Sequence, residues 1–365
     1  MDQKNNFAEG SVAKNIINMA VPMTVAQILN LLYNLVDRIY IGHIPGADSL
    51  ALTGVGLTFP IVSMIVAFTG LFGMGGAPLC SIARGKNDLK QAQAVMQNAY
   101  TMLVVTGILI TIVGYVVERP LLYALGATDA TYGYATAYLK NYLQGRLFVM
   151  IGLGLNPYIN SQGFGRTGMV TVILGAVINL ILDPIFIFVF HMGVRGAALA
   201  TVIAQFCSAV WVLFFLTGKK PVLRLRWKPE TPDWNIVGQI MTLGVSSFIM
   251  NFTNSVVQVA CNRQLQMYGG DLYVGVMTVL NSIREVLTMV VIGTANGAQP
   301  VISFNYGAGK KERVKQGIRF MTIISMVYTC IAWAVTLAFP EAFIRMFNSE
   351  PELLQAGVPA MHIYF

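Results

Sequence analysis

The sequence predicts an all-α polytopic membrane protein built from two related six-helix lobes. Three observations predict it: long apolar blocks, a separation of charge by loop, and an internal repeat. Of 365 residues, 55% are hydrophobic and 11% charged, less than half the roughly 25% charge of globular domains. The apolar residues fall in blocks of about 20 or more, enough to cross a hydrocarbon core of about 30 Å at 1.5 Å per residue. A soluble enzyme, a disordered chain and a coiled coil are excluded.

Spanning helices are predicted over 13–42, 50–80, 93–117, 132–160, 167–190, 196–216, 234–266, 273–303 and 315–339, and a tenth begins near Glu352. Pro22 removes one backbone hydrogen bond from the first helix, so a bend is expected there, read as a hinge. The first ten residues are polar, and the apolar stretch that follows is too long for a signal core and lacks a cleavage site, so no secretory leader is expected.

Lys and Arg gather in alternate loops. The N-terminus holds Lys4 and Lys14, and the even-numbered loops hold clusters such as Lys86 with Lys90, Lys219 through Lys228, and Lys310 through Arg319. The opposite loops are acidic or mixed, so the positive-inside rule predicts a cytoplasmic N-terminus. The same rule explains 24 Lys+Arg against 16 Asp+Glu without invoking nucleic acid. Cys80, Cys207, Cys261 and Cys330 lie in or beside apolar segments with no metal-type spacing, which marks packing thiols.

The repeat pairs Gly85-Lys86-Asn87-Asp88-Leu89-Lys90-Gln91-Ala92 with Lys310-Lys311-Glu312-Arg313-Val314-Lys315-Gln316-Gly317, and Gly76-Ala77 with Gly297-Ala298. Six helices intervene, so the copies run parallel about an axis along the membrane normal, as in some transporter halves. Twelve helices are expected, of which about nine and a half lie in this chain. Residues 1–218 form the N-terminal lobe, 219–233 a cytoplasmic linker and 234–365 the C-terminal lobe.

Ionisable and polar groups within the spans are functional candidates by default. Asp37 shares one face of the first helix with Asn30, Tyr33 and Asn34. Asn179 lies one turn before Asp183 in the fifth span, and Thr201 and Gln205 are four apart in the sixth. Asp37, Asp183 and Thr201 fall at similar depths, so two carboxylates, an amide and a hydroxyl are predicted to meet. That set suits Na⁺ or a proton shared between two acids; the bland reading is a network gluing helices together. In the second half Asn251, Asn254, Ser255, Gln258 and Asn262 form a polar stripe. Glu285, near the midplane, is either a substrate-cation site or a salt-bridge partner. The intramembrane charges read as chiefly acidic. No Walker loop, HExxH or nucleophile elbow occurs, so neither ATP-driven transport nor an intramembrane enzyme has support.

The chain resembles the MATE (multidrug and toxic compound extrusion) transporters over its whole length. The resemblance rests on Tyr33-Asn34-Leu35-Val36-Asp37-Arg38-Ile39-Tyr40-Ile41-Gly42, Asn160-Ser161-Gln162-Gly163, Asn179 through Ile187, Gly193 through Thr201, Gly297-Ala298-Gln299-Pro300 and Asn305-Tyr306-Gly307-Ala308-Gly309. It is most similar to the DinF-like branch, whose cation site lies in the N-terminal lobe and matches Asp37, Asn179, Asp183 and Thr201. The resemblance implies a V-shaped pair of six-helix lobes and antiport of organic, often cationic, compounds against H⁺ or Na⁺, with no cofactor. The candidate substrate cavity comprises Asn30, Tyr33, Asn34, Asn156, Asn160, Gln205, Asn251, Asn254, Gln258 and Glu285. The expected setting is a multi-pass monomer in the cell (inner) membrane. The alternatives are a lipid-linked saccharide flippase of the same superfamily, disfavoured by the acidic interior, and a non-transport receptor.

Overall fold

The computed structural model describes residues 7–42, 54–346 and 351–365, all helix, turn or irregular segments. The helices are α1 (Val12–Gly42), α2 (Phe59–Gly85), α3 (Leu89–Ala124), α4 (Asp129–Gln144), α5 (Arg146–Ser161), α6 (Gly165–Pro184), α7 (Val194–Thr217), α8 (Trp234–Gly307), α9 (Lys311–Ala338), α10 (Pro340–Arg345) and α11 (Pro351–Tyr364). Side-chain caps fix several starts by satisfying orphan backbone donors. Asp88 accepts from Gln91 N at 2.9 Å, Asp233 accepts from Asn235 N at 3.0 Å, and Thr128 with Thr131 forms a capping box.

Among the described residues, eight helical stretches are long and apolar enough to cross a membrane. Sequence reasoning expects nine spans and the start of a tenth, and the predicted span 132–160 accounts for one difference. It divides at Gly145 into two helices of 16 residues, each about 24 Å long at the helical rise. A Cβ on Gly145 would lie 2.4 Å from Val202, so the glycine admits α7 at the junction. The 74-residue α8 would run about 111 Å if straight, several times a bilayer core. It breaks instead at Gly270, whose φ of 64° and ψ of −163° are non-helical. Both limbs return to α2: a Cβ on Gly244 would meet Leu71 O at 2.0 Å, and one on Gly307 would meet Ile82 O at 2.0 Å. The limbs are the two expected spans 234–266 and 273–303.

In the main core Phe72, Met96, Leu103, Met150, Leu155 and Tyr158 pack together, joined by Ile240 of α8. Large apolar side chains remain exposed elsewhere, among them Ile112 at 60% and Val116 at 75% on α3. Water would penalise such a surface, whereas lipid accepts it.

At the end bearing the basic loops, the two halves are held together. Arg313 donates to the carbonyls of Phe7, Glu9 and Gly10 and to Asn305 Oδ1, so the second half grips the chain's N-terminal segment. The first part of α1 follows that attachment. Val12, Ile16, Met19 and Met23 pack against Ala298 and Val301 of α8. The segment 219–233 is fastened to the first half instead: Gln97 bonds Arg226 and Lys228, and Asn98 accepts from Asp233 N at 2.7 Å.

Candidate coupling site and cavity

Asn179, Asp183 and Thr201 come together as the helix spacing predicts. They are 2%, 1% and 6% exposed. Asn179 Nδ2 donates to Asp183 Oδ1 at 3.2 Å and to Thr201 Oγ1 at 3.3 Å. Thr201 also donates to Ala197 O at 3.0 Å, which fixes its rotamer. Asp37, arriving on α1, lies within hydrogen-bonding reach of Asp183.

Local backbone chemistry brings these helices to one level. Pro184 follows Asp183 and supplies no N–H, and the next five residues, Ile185–Val189, form a π turn. Extra-wide turns of this kind recur at functional sites. A Cβ on Gly196 would lie 2.8 Å from the Phe186 carbonyl, so only glycine lets α7 seat against the π turn and carry Thr201 to Asn179. On the other side Tyr40 meets Phe188 edge-on, with ring centroids 6.1 Å apart.

Asn179 Oδ1 is buried without a hydrogen-bond partner among the described residues. An acceptor of that kind beside two carboxylates and a hydroxyl fits a hard monovalent cation or a shared proton. No group of three or more His, Cys, Asp or Glu side chains suited to a metal occurs among the described residues.

A cavity of about 350 Å³ opens beside this network. Asn30, Tyr33, Asn156, Asn160 and Gln205 line it, as expected, and so do Asn179 and Thr201. Apolar walls come from Met23, Val66, Met74, Leu153 and Met169, and α8 contributes Asn296, Gln299 and Pro300. The mixture of apolar surface and a few convergent polar groups is that of a small-molecule site.

Some expected cavity residues are elsewhere. Asn254 and Glu285 are exposed on α8 and do not line this cavity. The side chains of Asn34, Asn251 and Gln258 lie outside the described residues, as do those of Ser255 and Asn262.

Gln27 and Arg146 are among the residues sequence reasoning missed. Gln27 lines the cavity one turn before Asn30, and its spacing of three was a readable signal. Arg146, in the middle of the predicted span 132–160, is 0% exposed. The first half therefore buries a guanidinium as well as the acid pair.

Comparison with known proteins gives a consistent result. The sequence profile of the MatE family matches residues 22–185 and 246–365. The "Multidrug export protein MepA" of Staphylococcus haemolyticus is 24% identical over 348 residues, covering 95% of this chain and 76% of that protein. A solved structure described as the outward-facing conformation of a multidrug resistance MATE family transporter of the MOP superfamily superposes with a TM-score of 0.92. Its identity is 23%, over 99% of this chain and 80% of the other. Another, described as MATE in the bent conformation, gives a TM-score of 0.90 at 23% identity, with 99% and 80% covered.

Proposed function

The chain belongs to the MatE family, a family of transporters and not enzymes, and from that premise we propose that it exports organic cations of several kinds in exchange for H⁺ or Na⁺. The likeness to multidrug exporters supports many substrates over one. The observation that carries the coupling is that Asn179 and Thr201 belong at once to the acid network and to the cavity wall. A cation held by Asp37, Asp183, Asn179 and Thr201 withdraws their negative charge and acceptor oxygens from the cavity beside them. A cationic substrate then loses its attraction and leaves; release of the ion restores it. The two cargoes alternate because they compete for one set of charges.

Alternation also needs a moving part, and α1 is suited to it. Its first half packs on α8 and its second half carries Asp37 to the acid network. Pro22 lies inside the helix, within the stretch packed on α8, and supplies no N–H to the Asn18 carbonyl, so bending there costs little. In this reading the chain is a multi-pass monomer of the cell membrane with its basic end, the N-terminus included, in the cytoplasm.

The test is purified protein in liposomes loaded with a fluorescent cation, driven by a pH gradient and a Na⁺ gradient separately. Export under at least one gradient is expected, and export indifferent to both overturns the proposal. Full export in sodium-free vesicles assigns the proton. With Na⁺ as the driver, Asn179→Ala and Thr201→Val should each weaken Na⁺ binding about tenfold or more, as loss of a neutral ligand or its support does elsewhere.

A further inference from the structure

The segment 219–233 contains neither helix nor strand, yet the first half holds it along most of its length. Gln93 Nε2 donates to Arg224 O at 3.0 Å. Gln97 accepts from Arg226 N at 3.1 Å and donates to Arg226 O and Lys228 O. Tyr100 Oη donates to Trp227 O at 3.3 Å, and Gln162 Oε1 accepts from Leu223 N at 2.8 Å. Side chains thus supply the partners that a sheet would give this backbone. Burial alternates as it does in a strand. Pro221, Leu223 and Leu225 are buried, whereas Val222, Arg224 and Arg226 are exposed.

The strap so formed presents positive charge outward. It holds five Lys or Arg against two acids, Glu230 and Asp233. Lys219, Lys220, Arg224 and Lys228 are exposed, and none joins an ion pair among the described residues. Arg226 is paired with Glu230 at 2.8 Å. Two indoles stand among these charges in the chain, Trp227 at 63% exposure and Trp234 at 71%. Basic side chains and indoles gather where lipid meets water.

The height of the strap agrees with that setting. Tyr100, which holds Trp227, lies five residues before Val105, the first large apolar side chain exposed on α3. That is about 8 Å along the helix. Before Tyr100 the helix carries Lys90, Gln91, Gln93, Gln97 and Asn98. Beyond it Val105, Ile108 and Leu109 are exposed as a lipid-facing band. Trp227 is therefore fastened at the level where that band begins.

We propose that this strap is a binding surface for anionic phospholipid headgroups, with Arg224 and Lys228 on the phosphates and Trp227 at the acyl-chain boundary. Membrane topology alone asks only that a loop carry positive charge. It does not ask that the loop be tied to the flank of a spanning helix or that it expose indoles. A nucleic acid or an acidic protein would find the same charges but would leave indoles at lipid height unexplained. Because the tying bonds run to the first half, bound lipid fastens that half to the leaflet. The inference is independent of which ion or substrate is carried.

The experiment uses full-length protein in vesicles of phosphatidylcholine and phosphatidylglycerol, with bromine on the acyl chains of one lipid to quench nearby tryptophan. The Trp227 signal is the difference between wild type and Trp227→Phe. Brominated phosphatidylglycerol should quench it at an about fivefold lower mole fraction than brominated phosphatidylcholine, the effect of roughly one Lys or Arg at an anionic surface. Salt at about 1 M, which cuts the screening length to about 3 Å, should erase the preference. Arg224→Gln with Lys228→Gln should lower the preference below about twofold. Lys311→Gln with Arg319→Gln removes equal charge from α9 and should leave it unchanged. All four side chains are exposed, so these variants read lipid binding and not folding. Equal quenching by the two lipids in the wild type overturns the proposal, as does a Trp227 that neither lipid quenches. A preference that survives loss of Arg224 and Lys228 overturns it as well. So does an equal loss in the α9 variant, because overall charge would then account for the preference.

Discussion

The two halves of the molecule repeat one another in sequence, yet their acids live in different surroundings. Asp183 is 1% exposed and held by Asn179 within reach of Asp37. Glu285 stands exposed on α8. Its neighbour Arg284 turns to Asn281 Oδ1 at 3.3 Å, and Asn281 also accepts from Tyr364 at 2.9 Å. A repeat therefore reproduces a helical frame without reproducing a site. The site needs the particulars of α6 and α7: a proline after the acid, a π turn, and a glycine that lets the next helix close.

The sharpest way to break the comparison is to neutralise the buried pair. Asp183→Asn or Asp37→Asn should lower gradient-driven export about a hundredfold or more while the protein remains folded in the membrane, because the coupling charge itself is removed. Export rates near wild type in both single variants would show that the acids of the first half serve only to hold helices together.

How much of this contrast was legible depended on whether a period or a backbone event carried it. The spacing of Asn179 to Asp183 and of Asn30 and Tyr33 to Asp37 is helical, and those faces converge as the period requires. The fold-back of α8 was readable too, since Gly269-Gly270-Asp271 interrupts an apolar pattern far too long for one crossing. The π turn at Ile185–Val189 leaves no signature in side-chain type beyond Pro184. The division at Gly145 was hidden inside a span that seemed continuous. Arg146 lies inside the same span, where an ionisable residue was itself a readable signal. The grip of Arg313 on Phe7, Glu9 and Gly10 joins segments about 300 residues apart and uses backbone carbonyls, which sequence pattern does not mark.

A second, smaller test addresses the helix that belongs to both halves. Pro22→Ala restores the N–H missing opposite the Asn18 carbonyl and stiffens α1 between its N-terminal end and Asp37. Export should slow by roughly three- to tenfold, as expected when a conformational step is burdened, with equilibrium binding of the dye changed less. Equal losses in rate and affinity would mean that the proline shapes the cavity and does not bend. Distances measured across α1 should also differ between ion-loaded and ion-free protein; one unchanged distribution removes the hinge.

The smallest effect is expected where the comparison is most exposed to failure, at Glu285. Its carboxylate is not among the groups lining the cavity that Asn296 and Gln299 of the same helix border, and it takes part in none of the ion pairs Lys140–Glu118, Arg226–Glu230, Lys315–Glu312 and Arg345–Glu341 found among the described residues. An exposed acid without such a partner changes little when neutralised if it faces water, which already screens it. Glu285→Gln should therefore leave ion-driven export within about twofold of wild type, as surface substitutions usually do. The packing beneath it should also hold, since Leu280 and Ile283 on the neighbouring face bury against Ile344, Leu353 and Met361. The measurement is ethidium export in liposomes, with Asp183→Asn alongside as the reference for lost coupling. A Glu285→Gln loss as deep as that of Asp183→Asn would mean that this acid enters the transport path in another conformation. The second half would then hold a cation site of its own, and the contrast between the halves would belong to one state of the cycle and not to the protein.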